Sequence, residues 1–234
     1  MQPISLPLLE LAIKQSVAKV IQQQNRINDV NFFPVSDKDT GSNFSMTLEE
    51  LLYVSSLDHD INSFIKYVSE VVFDNARGNS GIILSMWFSG IAKSHFIKDE
   101  LSLNGLKQLF DNGSSYLLNN FADIAQGTMI TFLVDFNESF SNLSNLKEVK
   151  NLLDYHVQKT KNANPVQKKH SVIDAGALGI KIFLESFFEI VIKGEIFEFN
   201  YSLVDDKASI LKTNIDVEHN LSEKPTYRYC TEAV

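Results

Sequence analysis

Cysteine occurs once in this chain, at Cys230, and tryptophan once, at Trp87. A single thiol excludes an intrachain disulfide framework and a multi-cysteine zinc centre, and it suits a reducing compartment such as the cytoplasm. Basic residues are also in short supply, with 21 Lys plus Arg against 29 Asp plus Glu and a formal net charge of −8. Without a basic stripe to neutralise backbone phosphates, nucleic acid is not an expected partner. Long apolar runs are missing too. The opening Met-Gln-Pro-Ile-Ser lacks the basic start of a signal peptide, and the most apolar late segment, 180–192, is interrupted by Lys181, Glu185 and Glu189. Neither a leader nor a membrane span is therefore expected. Gly-x-x-x-x-Gly-Lys-Ser/Thr, Gly-x-Gly-x-x-Gly after a strand and His-Glu-x-x-His do not occur, which removes P-loop, dinucleotide-fold and zinc-protease readings. His59, His95, His156, His170 and His219 are scattered without an i, i+4 pair, and read as surface or core residues.

What the chain does have is core material: 234 residues, 44% hydrophobic, with 17 Phe. Leu9, Ile13, Val17, Val20 and Ile21 recur at three- and four-residue spacing, which predicts an amphipathic helix over 7–28. A polar loop follows over 29–42, after which Phe44, Leu48, Leu51 and Ser55 resume the helical period. Similar patterns predict helices over 60–75, 79–96, 103–122, 127–140, 145–162 and 174–193. The expectation is an all-α bundle of about eight antiparallel amphipathic helices. After Gly194 the pattern changes: Phe197, Phe199, Tyr201 and Leu203 alternate as in an extended arm or one short strand, and 205–225 is polar and aperiodic. This divides the chain into a helical domain, 1–194, and a linker or tail, 195–234.

The densest cluster of special residues is Asn31-Phe-Phe-Pro-Val-Ser-Asp37-Lys-Asp39-Thr-Gly-Ser-Asn43. Two carboxylates at i and i+2 of an extended stretch point the same way, as a Mg²⁺ site needs when phosphates and water fill its other positions. Thr40, Gly41, Ser42 and Asn43 then open a helix, where free N–H groups and the positive dipole end receive an anion. The plainer reading is an Asp/Thr/Ser cap after a turn. A second such entry is Arg77-Gly-Asn79-Ser80-Gly81, in which the glycines allow close approach to a ligand or a tight helix crossing. Gly127-Thr128-Met129-Ile-Thr131 and Asp174-Ala-Gly176-Ala-Leu-Gly179 are a third and fourth, and Met129 reads equally as ordinary core. All four could converge at one end of the bundle.

In order and spacing, these segments resemble the nucleotide-binding family named after the L subunit of dihydroxyacetone kinase (DhaL), and most closely its branch forming the N-terminal domain of bacterial fatty acid kinase. Asn31 to Phe44 is similar to the family's Asn-x-Phe-Pro-Val-Pro-Asp-Gly-Asp-Thr-Gly-Thr-Asn-Met signature, and Ala76 to Ser85 to its Ala-Arg-Gly-Asn-Ser-Gly segment. The resemblance covers about 7–193. It implies a closed barrel of eight helices with ATP or ADP and Mg²⁺ capping one end. Mg²⁺ would then be held by Asp37 and Asp39, with Asn31 at a further ligand position. Phosphates would contact Thr40, Gly41, Ser42, Asn43, Asn79, Ser80 and Gly81, and Thr128, Met129, Asp174 and Gly176 would lie around base and ribose. The implied activity is phosphorylation of a fatty acid carboxylate presented by a DegV-type lipid-binding partner. Rival readings are a small-polyol kinase subunit and a nucleotide-dependent regulatory module without turnover.

The departures from the family pattern are Lys38, Ser36 in place of Pro, and Asn75, and the first bears on the metal. Lys38 stands where the family usually has Gly, so its Cβ resists a positive φ and its cation is expected to neutralise part of the carboxylate pair. Asn75 replaces another common Gly, and asparagine tolerates a left-handed backbone. Finally, Tyr227 to Glu232 resembles the segment that begins the middle domain of longer fatty acid kinase proteins, which implies a piece of such a protein or a naturally short relative, with any homodimer formed through further domains. In that family context Cys230 would belong to a metal site completed elsewhere. In this chain it reads as an idle thiol.

Overall fold

Periodic apolar residues become helices wherever they have a partner surface to bury. The computed structural model of the chain describes residues 2–33, 36–97, 100–202 and 204. Within them, eight helices of nine residues or more form: α1 Leu6–Gln22, α3 Thr40–Leu48, α4 Ile61–Asp74, α5 Gly78–Ile91, α6 Leu103–Asn120, α7 Met129–Ser141, α8 Val149–Thr160 and α10 Ala175–Lys193. Two six-residue helices, α2 Gln24–Asp29 and α9 Pro165–His170, complete the described set, together with 3-10 turns at Glu49–Leu52 and Leu146–Glu148. The all-α expectation holds.

The helices pack in a circuit. α1 lies against α10, α10 against α8, and α8, α7, α6, α5 and α4 follow as successive neighbours. The Glu49–Leu52 turn touches both α4 and α1 and closes the ring, while α3 contacts α1, α5 and α10. α10 is apolar nearly all round, and buries every residue from Ala175 to Leu184 except Lys181. Its Phe188 meets Phe140 at 5.3 Å between ring centroids, and Trp87 stacks on Phe110 at 5.5 Å. These offset and edge contacts are the geometry aromatic quadrupoles prefer. α10 stops at Gly194, whose φ of 67° supplies the left-handed cap. All these helices fall within one compact unit, Met1–Asn200. No described helix is long and apolar enough to cross a membrane.

Two expectations need correction, and two short elements lie beyond what the sequence predicts. The helix predicted over 7–28 is broken at Gln23, whose N–H is shared between Lys19 and Val20 carbonyls. The polar run Gln22–Gln24 offers nothing to bury, and the break turns α2 so that Gln24 and Asn28 face α3. The helical period expected from Phe44 to Ser55 is α3, which starts earlier at Thr40, plus the 3-10 turn Glu49–Leu52. α9 was not anticipated: at six residues it is too short for a period, and Asn164 and Pro165 start it while Ser171, at φ 55°, ends it. From Phe197 on no strand forms among the described residues, which leaves the extended arm of the two forms expected. The strand pair that does form is Ile4–Ser5 (β1) with Glu100–Leu101 (β2), antiparallel, two residues each, and too short for sequence to reveal. Cys230, His219 and the 227–232 segment lie outside the described residues.

Candidate functional site

The N-terminal ends of α3, α5, α7 and α10 meet at a cleft of about 380 Å³. Of the residues singled out by sequence, Thr40, Asn79, Ser80, Thr128, Met129, Asp174 and Gly176 line it. Four segments far apart in the chain are thus brought to one place. Sequence reasoning missed the apolar wall, made by Phe33, Ile82, Ile83, Phe121 and Ile130, and also Asp123 and Ala125. The available signal was adjacency, since Ile82 and Ile83 follow Asn79-Ser80-Gly81 directly and 121–125 runs into Gly127.

These helix starts are not equivalent. On α3, Asn31 Oδ1 accepts from the Thr40 N–H (3.0 Å) and hydroxyl (2.6 Å). Asn28 Oδ1 accepts from the N–H groups of Gly41 (2.6 Å) and Ser42 (3.2 Å). The expected free amides of α3 are therefore sealed by side chains from α2 and the loop after it. Asn31 is buried and acts as a cap in this structure. Ser42 is turned to α2, its hydroxyl accepting from Gln24 Nε2 (3.2 Å) and Asn28 Nδ2 (3.1 Å). The starts of α7 and α10 are sealed by one group. The Asp174 carboxylate accepts from Ala177 N–H at 2.8 Å, from the Met129 and Gly176 amides, and from Gln167 Nε2 at 3.3 Å. Burial nonetheless pushes its pKa up to about 7, because desolvation outweighs those backbone donors.

α5 is different. Its N-cap, Arg77, makes no side-chain cap, and the amides of Gly78, Asn79 and Ser80 have no acceptor among the described residues. The buried Ser80 hydroxyl is likewise unpartnered there. A helix start with open donors and its positive dipole end exposed to a cleft is an anion receptor. The glycines of this segment serve a crossing as well. Gly78 sits at φ 60° with no room for a Cβ beside the Asn43 amide, and a Cβ on Gly81 would lie 2.5 Å from Thr47 Oγ1. Gly81 and Asn43 are accordingly packing residues between α3 and α5 here, and Gly41 is buried against Gln24 and Asn28.

Asp37 and Asp39 are drawn together beside Thr40 by a turn rather than by an extended stretch. Lys38 between them has φ 57°. Partial desolvation and then the neighbouring Asp37 charge raise the Asp39 carboxyl above its ordinary value, against a hydrogen bond from Asn43 that lowers it. Two carboxylates that repel in this way are what a divalent cation relieves, so the pair fits Mg²⁺. Among the described residues no group of three or more His, Cys, Asp or Glu converges, and two protein ligands leave the other positions to phosphate and water. Lys38 is exposed and forms no ion pair among the described residues, so the expected neutralisation is not seen. Asn75 caps α4 at φ −102° and is not left-handed. His156 is buried against Ser139 and His170 stacks on Phe32, as structural histidines do.

The sequence profile of the DAK2 domain matches residues 34–189. The chain belongs to the DAK2 domain family. Uncharacterized proteins of Staphylococcus aureus, strains USA300 and NCTC 8325, are each 28% identical to it over 233 residues, covering 94% of this chain. The chain spans 42% of the length of these curated relatives. This DAK2 domain also shares its fold with the crystal structure of the dihydroxyacetone kinase of C. freundii in its native form, with a TM-score of 0.59 and 17% identity over 83% of this chain and 36% of the other. A second structure of that kinase, in complex with AMP-PNP and Mg²⁺, matches with a TM-score of 0.58 and 18% identity over 83% of this chain and 35% of the other.

Proposed function

We propose that this DAK2 domain is the ATP/ADP- and Mg²⁺-binding module of a phosphotransferase. The observation that carries the reading is the open start of α5 in the cleft, with three free amides and the unpaired Ser80 hydroxyl, while the Asp37–Asp39 pair lies outside the cleft lining and directly precedes Thr40, which does line it. Phosphoryl transfer asks a protein for positioning and electrostatic stabilisation more than for covalent chemistry. Asp37 and Asp39 would hold Mg²⁺, which when bound neutralises phosphate charge. The Gly78, Asn79 and Ser80 amides would receive phosphate oxygens with Thr40 alongside, while Thr128, Met129, Asp174 and Gly176 form the wall against the nucleoside. The kinase of C. freundii, solved with AMP-PNP and Mg²⁺, lends support by its shared fold.

The finer reading is phosphorylation of a fatty acid carboxylate held by a DegV-type lipid-binding protein, in the cytoplasm. It rests on the resemblance of Asn31–Phe44 and Ala76–Ser85 to the fatty acid kinase branch. Lys38 in place of glycine keeps open a nucleotide-dependent module with little turnover. Calorimetry with ADP, with and without Mg²⁺, tests the core reading: binding should require the cation, and Asp37→Ala or Asp39→Ala should weaken it at least tenfold, about 1.4 kcal/mol. Unchanged affinity in both variants overturns the metal assignment. An acyl-phosphate assay with the lipid-binding protein separates the two finer readings.

A further inference from the structure

Fourteen residues line the cleft, and two of them are carboxylates, Asp174 and Asp123. Asp174 is committed to its own fold by Ala177, Gly176, Met129 and Gln167. Asp123 is exposed, lies on the loop between α6 and α7, and makes no hydrogen bond or ion pair among the described residues. Its neighbours on that wall, Phe121, Ala125 and Ile130, are apolar. Its carboxylate is an acceptor with no donor from the described residues, at the edge of an apolar face. A carboxylate repels phosphate, so a nucleotide whose phosphates sit at the α5 start turns an uncharged part toward Asp123. The donors on that part are the ribose hydroxyls and, on the base, an exocyclic amine.

We propose that Asp123 is the residue that selects among nucleotides at this site, by accepting a hydrogen bond from a donor on the nucleoside. The inference rests on the nucleotide-binding reading above. An analogue that lacks the donor forgoes one charge-assisted hydrogen bond, and because Asp123 is exposed and water can serve it instead, the discrimination is modest. The loop position suits this role, as Asp123 supports no helix and can be changed without disturbing the bundle.

The test is calorimetry on the full chain with Mg²⁺ and four probes: ADP, 2′-deoxy-ADP, 3′-deoxy-ADP and inosine diphosphate, which lacks the exocyclic amine. The wild type should bind ADP about tenfold more tightly than one of the three analogues, a charge-assisted hydrogen bond's worth. Asp123→Ala should lose a similar factor for ADP and bind that analogue as it binds ADP, with Asp123→Asn in between. The analogue that is penalised identifies the donor as sugar or base. Wild-type binding of ADP with selectivity that survives in Asp123→Ala overturns this assignment alone. No binding of any diphosphate by the wild type overturns the nucleotide reading and the assignment with it.

Discussion

Asp174 joins two helices through a carboxylate that is largely buried at the wall of the cleft. Its folded pKa of about 7 lies above the ordinary carboxylate value of 3.8, so between those values the folded state holds a proton that the unfolded chain releases. Its contribution to stability is fully present below the unfolded value and is lost as pH rises through the folded one. Wild-type urea midpoints should therefore fall, relative to Asp174→Asn, between about pH 4 and about pH 7, and level off above. A constant difference between the two proteins across that range would refute the shift. At Lys38 the energetics lie in the backbone. A left-handed lysine is strained, so Lys38→Gly should stabilise the protein by up to about 1 kcal/mol, the strain less the chain entropy of glycine. Because Lys38 pairs with neither aspartate, the Mg²⁺ midpoint for ADP binding should hardly move. A marked gain in Mg²⁺ affinity would instead show a lysine standing in for the cation.

At the scale of the element, sequence reveals what is periodic and hides what is through space. The long helices were legible because each must bury a stripe, and the four helix starts were legible because Gly, Ser, Thr and Asn cluster there. What seals those starts was not. Asn28 lies 13 residues before Gly41, and only the break at Gln23 brings α2 round to cap α3. Likewise Asp174 caps α7 from the far side of α8 and α9, and nothing local in Met129 announces that. The i, i+2 argument for Asp37 and Asp39 assumed an extended stretch, whereas Lys38 between them is left-handed at φ 57°. Asn28→Ala should cost about 1–2 kcal/mol in chemical denaturation, the range for a lost cap that leaves amides unsatisfied. Asn28→Asp, which keeps an acceptor, should recover most of it, whereas equal losses in both would mean that the Nδ2 contact to Ser42 matters more than the cap.

For the molecule as a whole, closure of the ring is what makes a site. Thr40, Ser80, Met129 and Asp174 share a cleft because α1 packs on α10 and the intervening helices follow round, so the site depends on that long-range seam rather than on any one segment. The single tryptophan reports on that seam. Trp87 is 1% exposed and lines an apolar interior space with Leu184 of α10 and Phe64 of α4. Leu184→Ala removes atoms from a wall that already borders empty space, so little collapse can compensate, and a loss of about 2–5 kcal/mol is expected. If the bundle is one cooperative unit, Trp87 emission and far-ultraviolet ellipticity should share one midpoint in urea, and both should move by the same amount in the variant. If Trp87 emission shifts while ellipticity stays, the α10 seam opens independently of the remaining helices. The cleft would then be lost before the helices melt, and nucleotide binding would follow the fluorescence transition rather than the ellipticity.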